Sequence, residues 1–198
     1  LAVSDGAGSK RLARVGARAA SEAAVGAVYE GLRRLLAAHA ELRGACALPM
    51  TDAAFGAACA QLAGTLHVGV CAARAAVLAA FHRRCGRAAY RELLGRDPVL
   101  SDFAATLLVT LAVPVPERAE LLVLSCQIGD GMTAAVNTRA PYGSAVKLLG
   151  TPDSGDFAGE TDFLTSDGVT DSTALQKRTL VSRGAYDLLL TMTDGVSD

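Results

Sequence analysis

Three aspartates in this sequence stand directly before glycine at the ends of apolar segments. They are Asp5 in Leu1-Ala-Val-Ser-Asp-Gly-Ala-Gly-Ser9, Asp130 in Ile128-Gly-Asp-Gly131, and Asp194 in Leu190-Thr-Met-Thr-Asp-Gly-Val-Ser-Asp198, which also brings Asp198. An apolar strand that ends in Asp-Gly delivers a carboxylate to a sheet edge, and the glycine lets backbone or solvent come close. Carboxylates gathered in one place repel and raise one another's pKa unless a cation sits between them. An oxygen-only donor set suits hard ions such as Mg²⁺ or Mn²⁺. Two ions roughly 3.5 to 4 Å apart hold and acidify a water and stabilise charge on a transferring phosphoryl group, so phosphate-ester hydrolysis needs no protein nucleophile.

Each motif also has a plainer explanation. Asp130-Gly131 by itself reads as a hairpin turn. Asp5 with Gly6-Ala7-Gly8 also reads as a helix cap after a glycine loop, with Ser9 as a second cap. The run Gly6-Ala-Gly-Ser-Lys10 lacks the Gly-Lys-Ser/Thr order of a phosphate-cradling loop, and a dinucleotide loop needs a third glycine and a βαβ context that are missing. His39, His67 and His82 are scattered through helical material and read as core-edge or surface residues. Arg84, Arg87 and Arg91 fall on one predicted helical face, which reads as a solvated charged face.

The elements that must position these residues divide the chain by texture. The first half reads as helical: Val25, Val28, Leu32, Leu35 and His39 recur at helical spacing, predicting one helix over residues 15–40 that buries this stripe. Thr51-Asp52 can cap further helical material, which resumes over residues 72–94 before Gly95 and Pro98. The second half reads as stranded. The runs 106–113 and 121–128 are apolar on both faces, as in strands covered on both sides, and shorter strands are expected near 132–137, 145–149, 162–166 and 186–193. Acidic, glycine-rich loops carry Asp153, Asp156, Asp162, Asp167 and Asp171. Helices gathered before strands indicate an α+β fold rather than a doubly wound one.

Composition narrows the function classes. With 19 basic and 20 acidic residues the formal charge is -1, so nothing favours nucleic acid or an anionic membrane as partner. The 51% apolar share rests largely on alanine, with 5% aromatics and no Trp, so Leu, Val and Ala must fill the core. The odd set Cys46, Cys59, Cys71, Cys85 and Cys126 has no CxxC pair and reads as buried free thiols in a reducing compartment, against zinc. The most apolar stretch, residues 57–81, is interrupted by Gln61, His67 and Arg74, and the chain reads as soluble and cytoplasmic.

The order and wording of the three Asp-Gly segments resemble the PP2C-like metal-dependent serine/threonine protein phosphatases: an early Asp-Gly followed by Gly, a central Gly-Asp-Gly at a hairpin, then Thr-Asp-Gly-Val-Ser-Asp. Gly159-Glu160-Thr161 with Phe163-Leu164-Thr165 resembles the strand before the last motif in the family's bacterial branch. The resemblance implies a single domain over residues 1–198, a four-layer α-β-β-α sandwich of two antiparallel sheets flanked by helices. It implies two Mn²⁺ or Mg²⁺ ions with a possible third: Asp5 bridges two, the Gly6 carbonyl helps bind one, Asp194 is the second major ligand, and Asp130 and Asp198 serve the third position.

The implied activity is hydrolysis of phosphoserine or phosphothreonine on a protein substrate, opposing a Ser/Thr kinase. Three features depart from the family pattern. Its first metal-site aspartate with a phosphate-binding arginine, and its closing Asp-Asn motif, have no counterpart within these residues, and Ala7 stands where many members carry a histidine read as general acid. Those departures motivate an alternative, a catalytically inactive relative that binds a phosphoprotein or partner. A third reading, hydrolysis of a small phosphorylated metabolite, uses the same centre.

Overall fold

A computed structural model describes residues 1–150 and 161–193. Its elements are β1 (Ala2–Val3), α1 (Ala13–Ala38), α2 (Leu42–Ala47), α3 (Ala53–His82), α4 (Ala88–Leu94), β2 (Leu107–Val115), β3 (Glu120–Ile128), β4 (Met132–Val136), β5 (Val146–Leu148), α5 (Ser172–Lys177), β6 (Thr179–Gly184) and β7 (Leu188–Met192). All strand pairs are antiparallel. They form a four-stranded sheet in the order β1-β2-β3-β6 and a three-stranded sheet in the order β5-β4-β7. The fold is thus the expected α+β sandwich of two antiparallel sheets.

Strand alternation assigns each side chain to a layer. Leu107, Val109 and Leu111 of β2 lie beside Ile128, Cys126 and Leu124 of β3, and all face the helices in the main core. The opposite face of β3 meets the second sheet through Val123, which packs with Ala135, Leu149 and Leu189. Strand β3 is therefore covered on two sides, as its unbroken apolar run predicted, and β2 is so over residues 107–111, whereas Ala112 and Pro114 are exposed. On the outer face of the three-stranded sheet Val146, Leu148, Leu188 and Leu190 are exposed.

The helical layer differs from expectation in which face it buries. Helix α1 occupies nearly the predicted span, but its fully buried positions are Ala13, Gly16, Ala17, Ala20 and Ala24, while Val25 is exposed and Val28, Leu32 and Leu35 are only partly buried. Small residues win because the backbones approach closely. A β-carbon at Gly16 would collide with the carbonyl of Phe103, and one at Gly69 of α3 would collide with Val28. Helix α3 buries Phe55, Leu62, Leu66, Val70, Ala73 and Val77 at helical spacing, with Asp52 accepting the Ala54 N–H at 2.8 Å as its cap. It is long and apolar enough to cross a membrane by length and composition; here that apolar face packs on α1 and the sheet.

Three other expectations are corrected. The helical material over 72–94 is broken after His82, where Gly86 takes a φ of 74°, so Arg84 and Arg87 lie in a turn and share no helix face with Arg91. Residues 162–166 form no strand; the partner on that edge of β3 is β6, which the sequence reading missed. Cys71 and Cys85 are exposed, although none of the five cysteines forms a disulfide.

Candidate metal centre

The central Gly129-Asp130-Gly131 is not a hairpin turn. It leaves β3 in one sheet and enters β4 in the other, so Asp130 stands where the chain crosses the sandwich. Glycine is required on both sides of it. Gly129 has a φ of 105°, and a β-carbon there would stand 2.5 Å from Thr106 Cγ2. One at Gly131 would stand 2.7 Å from the Met192 carbonyl and from Leu108. The tight β2–β3 hairpin is made instead by Pro116–Arg118 with Ala119 in a left-handed conformation.

Asp5 reaches the same end of the sheet. Beyond β1 the chain continues to pair with the residues before β2: Thr106 N–H donates to Asp5 O at 2.9 Å and Ala7 N–H to Ala104 O at 3.0 Å. This ladder passes over both polar groups of Gly6, which faces Ala105. The Gly6 N–H turns to Asp5 Oδ1 at 2.8 Å, and its carbonyl is engaged by no donor among the described residues. Thr106 connects the two motifs. Its hydroxyl accepts the Asp5 N–H at 3.3 Å while its methyl packs on Gly129.

Asp130 is held from a third direction, because Thr161 Oγ1 donates to Asp130 Oδ2 at 2.9 Å. Gln127, buried between the sheets, donates its amide to Gly129 O at 2.9 Å and Gly131 O at 2.6 Å and so clamps the crossing from beneath. Its Oε1 presses on Gly150, where any β-carbon would collide. In the sequence Thr106 and Gln127 were only members of strand runs and Thr161 only part of a resembling segment, because what they support becomes visible only once the two sheets are stacked.

The donor set fits a hard cation. Asp5 and Asp130 are each anchored through one carboxylate oxygen and present the other, and the Gly6 carbonyl is a third oxygen left over by the ladder. Among the described residues there is no cluster of three His, Cys, Asp or Glu side chains. Asp194 and Asp198, the other two expected ligands, lie outside the described residues. Their segment follows β7, whose Met192 pairs with Met132 just after the crossing.

The histidines stand elsewhere. His39 contacts Glu41 at 3.1 Å, His67 Nε2 contacts Thr179 Oγ1 at 2.9 Å with its pKa lowered by burial, and His82 lies against Phe81. Asp162 is paired with Arg178 at 2.6 Å.

The family model described as Protein phosphatase 2C matches residues 1–198. No curated protein and no solved structure matches the chain.

Proposed function

Because this chain belongs to the protein phosphatase 2C family, we propose that it hydrolyses phosphoserine and phosphothreonine on proteins, with Mn²⁺ or Mg²⁺ held by Asp5, the Gly6 carbonyl and Asp130 and, from the sequence, Asp194 and Asp198. The observation that supports the reading is that Thr106 touches both motifs, accepting the Asp5 N–H and packing its methyl on Gly129 beside Asp130, while Asp5 and Asp130 each accept a hydrogen bond through one carboxylate oxygen. Bound ions supply an acidified water as nucleophile and neutralise charge on the phosphoryl group.

The protein's own residues hold the centre in place. The Gly6 N–H and the Thr161 hydroxyl each take one carboxylate oxygen, fixing the rotation of Asp5 and Asp130. Gln127 restrains the carbonyls on both sides of Asp130. No protein side chain serves as nucleophile, and Ala7 donates no proton to a leaving group, so substrates with good leaving groups are turned over best.

The test is hydrolysis of p-nitrophenyl phosphate with Mn²⁺ and with EDTA, by the chain and by its Asp5→Asn and Asp130→Asn variants. Manganese-dependent turnover reduced at least about a hundredfold by Asp5→Asn is expected. Phosphopeptides compared with sugar phosphates separate a protein substrate from a small metabolite. Ala7 favours a second reading, a relative that binds a phosphoprotein without turning it over; a folded, manganese-loaded protein that has no turnover and still binds a phosphopeptide supports it.

A further inference from the structure

Next to Asp5 the surface opens into a cleft of about 720 Å³ between the first turns of α1 and the end of α3. Its walls include Asp5, Arg14, Arg18, Glu22, Arg83 and Arg84. Four guanidinium groups in one cleft are not a consequence of a basic chain, because the chain as a whole carries -1. Arg18 is neutralised locally by Glu22 at 2.8 Å. Among the described residues Arg14 and Arg83 have no anionic partner and are exposed. Arg84 is steadied by the Ala80 carbonyl at 3.1 Å and by the Tyr90 ring at 5.5 Å, and its buried Nε has no acceptor. Three of the four guanidinium groups thus lack an anionic partner among the described residues, and of the two described carboxylates in the cleft, Asp5 and Glu22, the one outside an ion pair is the candidate metal ligand.

We propose that this cleft binds acidic side chains flanking the phosphorylated residue of a protein substrate, and so sets substrate preference. The proposal rests on the phosphatase reading for the position of the phosphate: with phosphate at Asp5, an extended segment advancing about 3.3 Å per residue carries its neighbours past Arg14 and Arg83. Arginine is suited to this task because its planar fork pairs bidentately with carboxylates. Exposed pairs are individually weak, so two of them correspond to a preference between about two- and thirtyfold, about sevenfold at mid-range, that weakens with salt.

The experiment is fluorescence anisotropy in Mn²⁺ with peptides carrying a non-hydrolysable phosphonate in place of phosphoserine, flanked by Glu or by Ala. The parent is expected to bind the Glu-flanked peptide about sevenfold more tightly. That ratio falls towards one in Arg14→Gln/Arg83→Gln, survives largely in Arg14→Lys/Arg83→Lys, and is unchanged by Arg33→Gln, which removes a charge paired with Glu30 elsewhere on α1. Equal affinities in the parent, or a ratio that persists in the Gln variant, overturn the proposal. Absence of p-nitrophenyl phosphate turnover alongside the expected binding ratio overturns only the phosphatase reading, since anisotropy needs no chemistry.

Discussion

Thr106 and Gly129 are packed so closely that a β-carbon on Gly129 would lie 2.5 Å from the threonine methyl, while the same threonine's hydroxyl takes the N–H of Asp5. Gly129→Ala therefore meets two penalties, a φ of 105° that L-residues avoid and a steric conflict with Thr106. A loss of about 2–4 kcal/mol is expected in denaturant unfolding. Thr106→Ser in the same background removes the methyl and recovers the steric part only, so a double-mutant cycle gives a coupling of about 1 kcal/mol or more. Additive effects would show that Thr106 does not link the two motifs.

Gln127 and Thr161 are expected to act on metal affinity rather than on substrate. Thr161→Val removes the donor to Asp130 Oδ2, and Gln127→Met removes the clamp on Gly129 and Gly131. Loss of such supporting hydrogen bonds weakens metal binding about 10- to 100-fold. Manganese titration of turnover and isothermal titration calorimetry should both shift by that factor, with full rates restored at high Mn²⁺. A fall in rate that manganese does not restore would place the two residues outside the support of the centre.

The two long strands and the span of α1 were legible in the sequence because their signals are local: the β2 and β3 segments are apolar on both faces, and α1 repeats at helical period. What failed was relational. Gly129-Asp130-Gly131 carries the same turn signal whether the next strand pairs with the last or joins another sheet, and only stacking of the sheets decides it. The Val/Leu stripe of α1 lost the buried face to Gly16, Ala17 and Ala20 because close approach to Phe103 rewards small side chains. Arg14 and Arg83 are far apart in sequence, so their meeting in one cleft follows from the packing of α1 on α3. Asp5 and Asp130 were each singled out in the sequence by a following glycine, but that Thr106 joins their two motifs was not legible there.

The turn before β2 should make the protein sensitive to acid. Asp102 is buried and accepts Arg96 Nη2 at 2.7 Å, Arg96 Nη1 at 2.8 Å and the Val99 N–H at 2.9 Å. Arg96 first, and Val99 after it, hold its carboxyl below the usual carboxylate range against the opposing effect of burial. A carboxyl whose pKa is depressed by folding stabilises the fold above its unfolded pKa, and that contribution disappears as pH falls through the folded value. Asp102→Asn is expected to cost about 1–3 kcal/mol at pH 7, and the gap from the parent should start to narrow below about pH 4 and close as pH falls through the lower folded value. A gap that stays constant down to pH 3 would mean that packing, not charge, holds this turn.

Cysteine reactivity tests the helical layer directly. Cys46 on α2 and Cys126 on β3 are 1% exposed, and burial raises the Cys46 pKa. Burial, with a smaller contribution from Cys46, pushes the Cys59 thiol up to about 11. At pH 8 a thiol of that pKa is about one part in a thousand thiolate, the reactive form. Cys71 and Cys85 are exposed on α3 and in the turn after it. Iodoacetamide at pH 8, followed by peptide mass spectrometry, should therefore modify Cys71 and Cys85 first and leave Cys46, Cys59 and Cys126 protected until denaturant is added. Because Cys46 lies where α2 meets α3 and Cys126 lies under the helices on the sheet, early modification of either would mean that the helical layer opens without global unfolding; protection of both would tie that layer to the stability of the whole sandwich.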